Sequence, residues 1–195
     1  MPATLPEVLA EALRLGHLGG ESIDAHIEHG RRFLAALPDA ALRVLDLGSG
    51  GGIPGLVLAA DRPEWNMVLL DRRAQRTDFL LRAVGRLEFP NLEVVTGDAS
   101  VLAHNVEHRG AYDAVVARAF GPPAATAEAA AGFLRVGGVL VVSEPPDRDA
   151  GRWPAEALAG LGLALEDPVL GFVRLRANSA CPGKFPRRRL RPLLF

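Results

Sequence analysis

Short apolar runs alternate along this chain with longer segments whose apolar positions recur every three to four residues. Helical spacing comes first, in residues 4–16, where Leu5, Val8, Leu9, Ala12 and Leu13 share a face and the pattern stops at Gly16. Gly19-Gly20 breaks the chain, and Ser22 stands as the N-cap of a second helix from Ile23 to about Leu37. Ile23, Ile27, Phe33, Leu34 and Leu37 form its apolar stripe. Arg43–Leu47 then reads as a short buried strand, which ends in Gly48, Gly50, Gly51 and Gly52. Helix resumes near Pro54 and runs through Leu56–Ala60, stopping before Pro63. The alternation continues with a strand Trp65–Leu70 ending at Asp71, and a helix from Arg72 to about Leu87 with Phe79, Leu80 and Val84 inward. A strand over Leu92–Val95 ends in Thr96-Gly97-Asp98-Ala99, and a loop or short helix runs through Glu107–Gly110. Tyr112–Ala117 is a strand, followed by an alanine-rich helix from about Ala124 to Leu134. Val136-Gly137-Gly138 reads as a tight turn into a strand Val139–Val142. A helix from Pro154 to about Leu161 precedes Leu163–Leu165 and Phe172–Leu175, which read as a closing antiparallel pair.

Strands alternating with helices predict an α/β fold: a mostly parallel sheet with an antiparallel C-terminal strand and helices on both faces. Right-handed crossovers place the loops that follow the strands at one edge of that sheet. Gly48–Gly52, Asp71, Asp98 and Arg118 all follow strands, so they are expected to converge. With no repeat or linker, the 195 residues read as one domain: N-terminal helices over 1–40, a Rossmann-like core over 41–176 and a basic tail over 177–195.

Composition narrows the classes. Hydrophobic residues make up 49% and charged residues 23%, as in an ordinary globular protein. The net charge of −1 means that any attraction to nucleic acid must be local. A lone cysteine, Cys181, excludes an intrachain disulfide and a thiolate metal cluster and suits a reducing cytoplasm. No apolar run is long enough to span a bilayer, and Met1–Pro6 lacks the basic and apolar regions of a signal peptide. The expectation is a cytoplasmic, membrane-free and monomeric protein. His26 and His29 lie one turn apart, but two helical imidazoles with no acidic or thiol partner nearby do not make a closed zinc site, so no metal is expected.

A strand, a glycine loop and a helix start together form a cradle of the nucleotide-binding type. Gly50, Gly52 and Gly55 satisfy G-x-G-x-x-G, and Asp71 is spaced for a ribose contact, which keeps a nicotinamide dinucleotide in contention. Asp46 argues for a cation instead, because a carboxylate at that strand end repels a pyrophosphate. D-x-G-x-G-x-G (Asp46, Gly48, Gly50, Gly52, with Ser49 inside it) is the arrangement that holds S-adenosylmethionine in class I methyltransferases. In that reading Asp71 accepts from the ribose hydroxyls and Asp98 from the adenine amino group. The plainer alternatives are a helix cap for Asp71 and an exposed turn for Asp98.

The chain resembles the RsmG (glucose-inhibited division protein B) family of 16S rRNA guanine-N7 methyltransferases. The likeness rests on Ala25-His26 with Arg32-Phe33-Leu34, on the Asp46–Gly55 loop ending in Pro54-Gly55, and on Leu70–Leu80. Ala117-Arg118-Ala119-Phe120 and the basic stretch Cys181–Arg187 add to it. The resemblance implies S-adenosylmethionine as cofactor and small-subunit rRNA or a ribosomal particle as partner. It places Gly48, Ile53, Ala99, Ser100 and Arg118 in the cofactor pocket, with Arg118 reaching toward cofactor or substrate; a surface salt bridge is the bland reading of Arg118. The N7 lone pair of guanine needs no general base, so the enzyme supplies alignment and field. From Phe172 onward the chain carries seven cations and no acid, and Lys184, Arg187, Arg188 and Arg189 are the candidate phosphate contacts; a solvated, unstructured tail is the alternative. The family usually has Leu-Lys-Gly after the fifth strand, whereas here Val142-Ser143-Glu144-Pro145-Pro146 follows. That carboxylate motivates a second reading, a methyltransferase of the same fold with a different acceptor.

Overall fold

The computed structural model describes residues 2–40, 42–144 and 150–195. Its centre is a seven-stranded sheet made of β1 (Arg43–Leu47), β2 (Asn66–Asp71), β3 (Leu92–Thr96), β4 (Tyr112–Ala117), β5 (Leu134–Ser143), β6 (Leu163–Leu165) and β7 (Phe172–Ala177). The spatial order is β3-β2-β1-β4-β5-β7-β6. The pairs β1–β2, β1–β4, β2–β3 and β4–β5 are parallel, and β7 runs antiparallel to both β5 and β6. The predicted α/β class, the mostly parallel sheet and the antiparallel C-terminal strand therefore all hold.

Alternation along each strand sends residues to two faces. Val44, Ala114, Val116, Val139 and Val141 face one side, with Phe33 and Leu58 packed on them. Leu45, Leu47, Val115, Ala117, Leu140 and Val142 face the other, against alanines of a helix and Phe133. The first side carries α1 (Leu5–Arg14), α2 (Ile23–Arg32), α3 (Gly55–Asp61) and α4 (Ala74–Leu87). The second carries α5 (Ala99–Leu102), α6 (Pro123–Ala131) and α7 (Ala155–Ala159). Ser22 caps α2 by accepting from the Ala25 amide at 3.1 Å.

Two elements differ from expectation. The second helix tightens to a 3-10 turn over Phe33–Ala36 instead of running regularly to Leu37. The alanine-rich helix stops at Ala131, and Leu134 already belongs to β5. The Val136-Gly137-Gly138 turn is a bulge inside that strand: Leu134 pairs with Tyr112 and Val139 with Ala114, so β5 loops out between them, with Gly137 at φ +83°.

α6 is buried almost all round. An alanine helix buries so little area per residue that it needs cover on both sides. The sheet covers one side, and the C-terminal segment packs Phe185, Leu190, Leu194 and Phe195 onto the same cluster. The tail is thus a packed element of the fold. Arg109 ties it down by donating to the carbonyls of Cys181, Pro182 and Phe185.

Candidate functional site

The glycine loop is sewn to the end of β2. The amides of Gly48 and Ser49 both donate to the Leu70 carbonyl, at 2.8 and 2.9 Å, and the Gly50 amide donates to Asp71 Oδ2 at 3.0 Å. Gly48 sits at φ +77°, and a Cβ there would lie 2.7 Å from the Phe120 ring, so the loop needs glycine for both its conformation and its clearance. Two cavities meet at Gly48. One, of about 410 Å³, is walled by Leu47, Leu70, Asp71, Asp98, Ala99 and Phe120. The other, of about 180 Å³, touches Ser49, Gly50, Ile53, Leu18, Arg76 and Arg118.

Asp71 faces the larger cavity with its carboxylate engaged. Oδ1 accepts from the Arg73 amide at 2.9 Å, and Oδ2 accepts from Gly50 N and from Arg76 Nη1 at 3.2 Å. It does not cap α4, whose N-cap is Arg73. Asp98 lies across the cavity; its Oδ1 accepts from both the amide and the hydroxyl of Ser100, at 2.8 and 2.7 Å. Ser100 is buried and also donates to the Arg188 carbonyl at 3.1 Å.

Asp46 is not on the cavity wall. It shares the face of Val44, so its side chain points under α3, away from Leu47 and the cavity. There Oδ2 accepts from the Gly55 amide at 3.0 Å, while the Ser49 hydroxyl donates to the Asp46 carbonyl. Burial pushes its carboxyl up to about 7, against the opposing pull of the Gly55 hydrogen bond. The expectation of a carboxylate facing a bound cation is therefore corrected by strand alternation: Asp46 pins the start of α3.

Arg118 joins two networks. Its Nη1 donates to His26 Nδ1 at 3.1 Å and its Nη2 to Glu21 at 3.2 Å. His26 is fully buried, and its Nε2 lies 3.3 Å from the Gly19 carbonyl. A guanidinium only donates and a carbonyl only accepts, so the ring carries its proton on Nε2. Ala119 follows at φ +54°, a conformation that costs a side-chain-bearing residue about 1–3 kcal/mol. This bend separates Arg118, which lines the smaller cavity, from Phe120, which closes the larger one.

The tail residues divide. Arg187 donates from Nε and Nη2 to the two carboxylate oxygens of Glu128, at 2.8 and 2.7 Å, and Glu128 is fully buried in α6. Its expected role as a phosphate contact is corrected on this ground: the guanidinium is spent on a buried carboxylate. Arg174 and Arg176 likewise pair with Glu166. Lys184, Arg188 and Arg189 are exposed, as is Arg191, which with Leu190 forms part of the larger cavity's wall.

A third cavity of about 300 Å³ opens behind Ala119, Phe120 and Gly121, which it shares with the first. Glu144 is on its wall, with its carboxylate accepting from Arg152 Nη1 at 2.6 Å. Pro145 and Pro146 lie outside the described residues. Among the described residues, no group of three or more His, Cys, Asp or Glu side chains is placed to hold a metal ion, and no helix is long and apolar enough to cross a membrane.

Arg76, Phe120, Leu190 and Arg191 were not singled out as pocket residues from the sequence. Arg76 had a signal, since it lies in the first turn of the helix that follows Asp71. The tail residues had none, because only the tertiary fold brings residue 190 beside residue 98.

Sheet order and glycine loop define a class I methyltransferase fold, set apart from the all-parallel dinucleotide-binding order by the antiparallel β7. A solved methyltransferase from Pyrococcus furiosus superposes with a TM-score of 0.63 over 78% of this chain and 83% of that one, at 16% identity. Residues 21–144 match the family model described as rRNA small subunit methyltransferase G (GidB), and the chain belongs to that family. Ribosomal RNA small subunit methyltransferase G of Deinococcus radiodurans is 38% identical over 161 residues, covering 77% of this chain and 64% of that protein. The Gloeobacter violaceus protein of the same name is 37% identical over 120 residues, covering 61% and 48%. The chain thus spans about half to two thirds of the length of these curated relatives.

Proposed function

We propose that this chain transfers a methyl group from S-adenosylmethionine to N7 of a guanine in small-subunit rRNA, free or within a ribosomal particle. One observation carries the reading: the Gly48 cradle, Asp71 and Asp98 converge on a single cavity at the carboxyl edge of the sheet. The fit to the cofactor rests on this geometry. A Cβ at Gly48 would fill the cradle, and two carboxylates on opposite walls match the hydroxyl and amino donors of an adenosine. Leu70, Ala99, Phe120 and Leu190 offer apolar surface to its base. When bound, the cofactor supplies an electrophilic methyl on a sulfonium.

The chain's own residues would do the rest. Asp71 already fixes the loop through Gly50 and would take the ribose hydroxyls once the flexible Arg76 swings off Oδ2. Asp98 would take the adenine amino group, with Ser100 fixing its rotamer. Arg118, held by His26 and Glu21, would orient the reactants from the smaller cavity. The N7 lone pair of the acceptor guanine would take the methyl that the bound cofactor supplies, so this chain's residues would align the two and provide no general base. No proton moves in this step. The exposed Arg72, Arg73 and Arg191 place positive charge beside the cavity, where a polyanion must approach. The Glu144 departure weighs less against RNA than its charge suggests, because Arg152 neutralises it.

The test is incubation with labelled S-adenosylmethionine and small-subunit RNA or assembled subunits, then nucleoside analysis. N7-methylguanine is the expected product. Its absence on both substrates, with cofactor binding confirmed by calorimetry, would overturn the reading.

A further inference from the structure

The third cavity is lined by none of Gly48, Asp71 and Asp98, yet it is back to back with the cavity that they line, across Ala119-Phe120-Gly121. Its volume of about 300 Å³ is at the small end of ligand pockets, the scale of a single base. Phe120 and Trp153 on its wall offer aromatic surface, which is what an unstacked base meets in single-stranded RNA sites. We infer that this cavity receives the acceptor base and that Glu144 selects guanine there by accepting from N1–H and the 2-amino group.

The inference rests on the methyl-transfer reading above. Its argument is chemical complementarity. An ionised carboxylate only accepts. Guanine presents two adjacent donors, N1–H and the 2-amino group, on its Watson–Crick edge. Adenine and cytosine present a donor next to an acceptor, and uracil one donor between two carbonyls. N7 lies on the side of guanine away from its N1 and 2-amino donors. A base whose donors meet Glu144 on one wall can therefore present N7 toward the shared Phe120 wall and the cofactor beyond it. Glu144 is well placed to select: its side chain is only 4% exposed, so a base that turns a carbonyl or a ring-nitrogen lone pair toward it sets two acceptors against each other with little water to intervene. Arg152 fixes the carboxylate while using one of its several acceptor positions. The same residue that departs from the family's usual lysine thus acquires a role.

The experiment compares kcat/KM for methyl transfer on the small-subunit RNA substrate carrying guanine or inosine at the methylated position. Inosine keeps N7 and N1–H and lacks only the 2-amino group. The wild-type chain should lose about 10- to 100-fold on inosine, the scale of one hydrogen bond to a charged acceptor. In Glu144→Gln, an isosteric change, guanine transfer should fall and the guanine-to-inosine ratio should shrink to within a few-fold, with S-adenosylhomocysteine affinity unchanged. Equal use of guanine and inosine by the wild type overturns the assignment while leaving the proposed activity intact, and needs no variant to fold. A ratio that persists unchanged in Glu144→Gln does the same. Failure of the wild type to methylate any RNA guanine overturns the activity, and the assignment with it.

Discussion

At the residue scale, the loop separates two kinds of constraint that look alike in sequence. Gly48 faces the cavity, so Gly48→Ala should cost about 1–3 kcal/mol for its left-handed backbone. It should also lower S-adenosylmethionine affinity at least about tenfold, because the methyl projects toward Phe120; calorimetry on the folded variant would measure this, and unchanged affinity would remove Gly48 from the site. Asp46 faces the other way, and its consequence is a pH dependence. Its carboxyl titrates near 7 in the fold against about 3.9 when unfolded. Between those values the folded chain keeps a proton that the unfolded chain releases. Stability from this group is therefore present below about pH 4 and lost as pH rises toward 7. Asp46→Asn should flatten that decline in urea unfolding measured from pH 4 to 8; a decline of the same slope would show that Asp46 is not its source. An acid before a glycine cluster was legible as a motif, but the direction of its side chain follows from which residues of β1 face α3.

At the scale of elements, α6 and the tail stabilise one another. Eight of the nine residues of α6 are buried, and one of them is the Glu128 carboxylate, held by the arms and amide of Arg187. Arg187→Ala should strand that carboxylate and cost about 3–5 kcal/mol in urea unfolding. Adding Glu128→Gln should recover part of the loss. A neutral outcome for Arg187→Ala would mean that the tail is not held through this pair. The run of arginines was legible as positive charge, but which of them is spent internally depends on Glu128, 59 residues away in sequence. The β5 bulge looks like a turn in the sequence for a related reason. Glycine pairs mark a departure from regular backbone, but whether the chain leaves the sheet or loops out within it is decided by the partner strand, here β4.

At the scale of the whole molecule, a net charge of −1 conceals a basic end made by Lys184, Arg188 and Arg189. Replacing these three with alanine should make the dependence of RNA affinity on salt shallower, by about 2 in the log–log slope if each meets one phosphate. Thermal stability should scarcely change, since none of the three has an ion-pair partner among the described residues; an unchanged slope would place the RNA elsewhere. The sequence by itself determined the α/β class, the alternation of strands and helices with its antiparallel closure, and the glycine cradle. These follow from local periodicity, from turn chemistry and from the handedness of crossovers, all of which act over a few tens of residues. Only the tertiary structure decided that Asp46 lies behind the cradle, that Arg187 belongs to the core, that Leu190 shares a cavity wall with Asp98 and that Glu144 and Arg152 share a wall with Phe120. Each depends on a pairing between distant segments, which packing and the desolvation of charge select and no local pattern encodes.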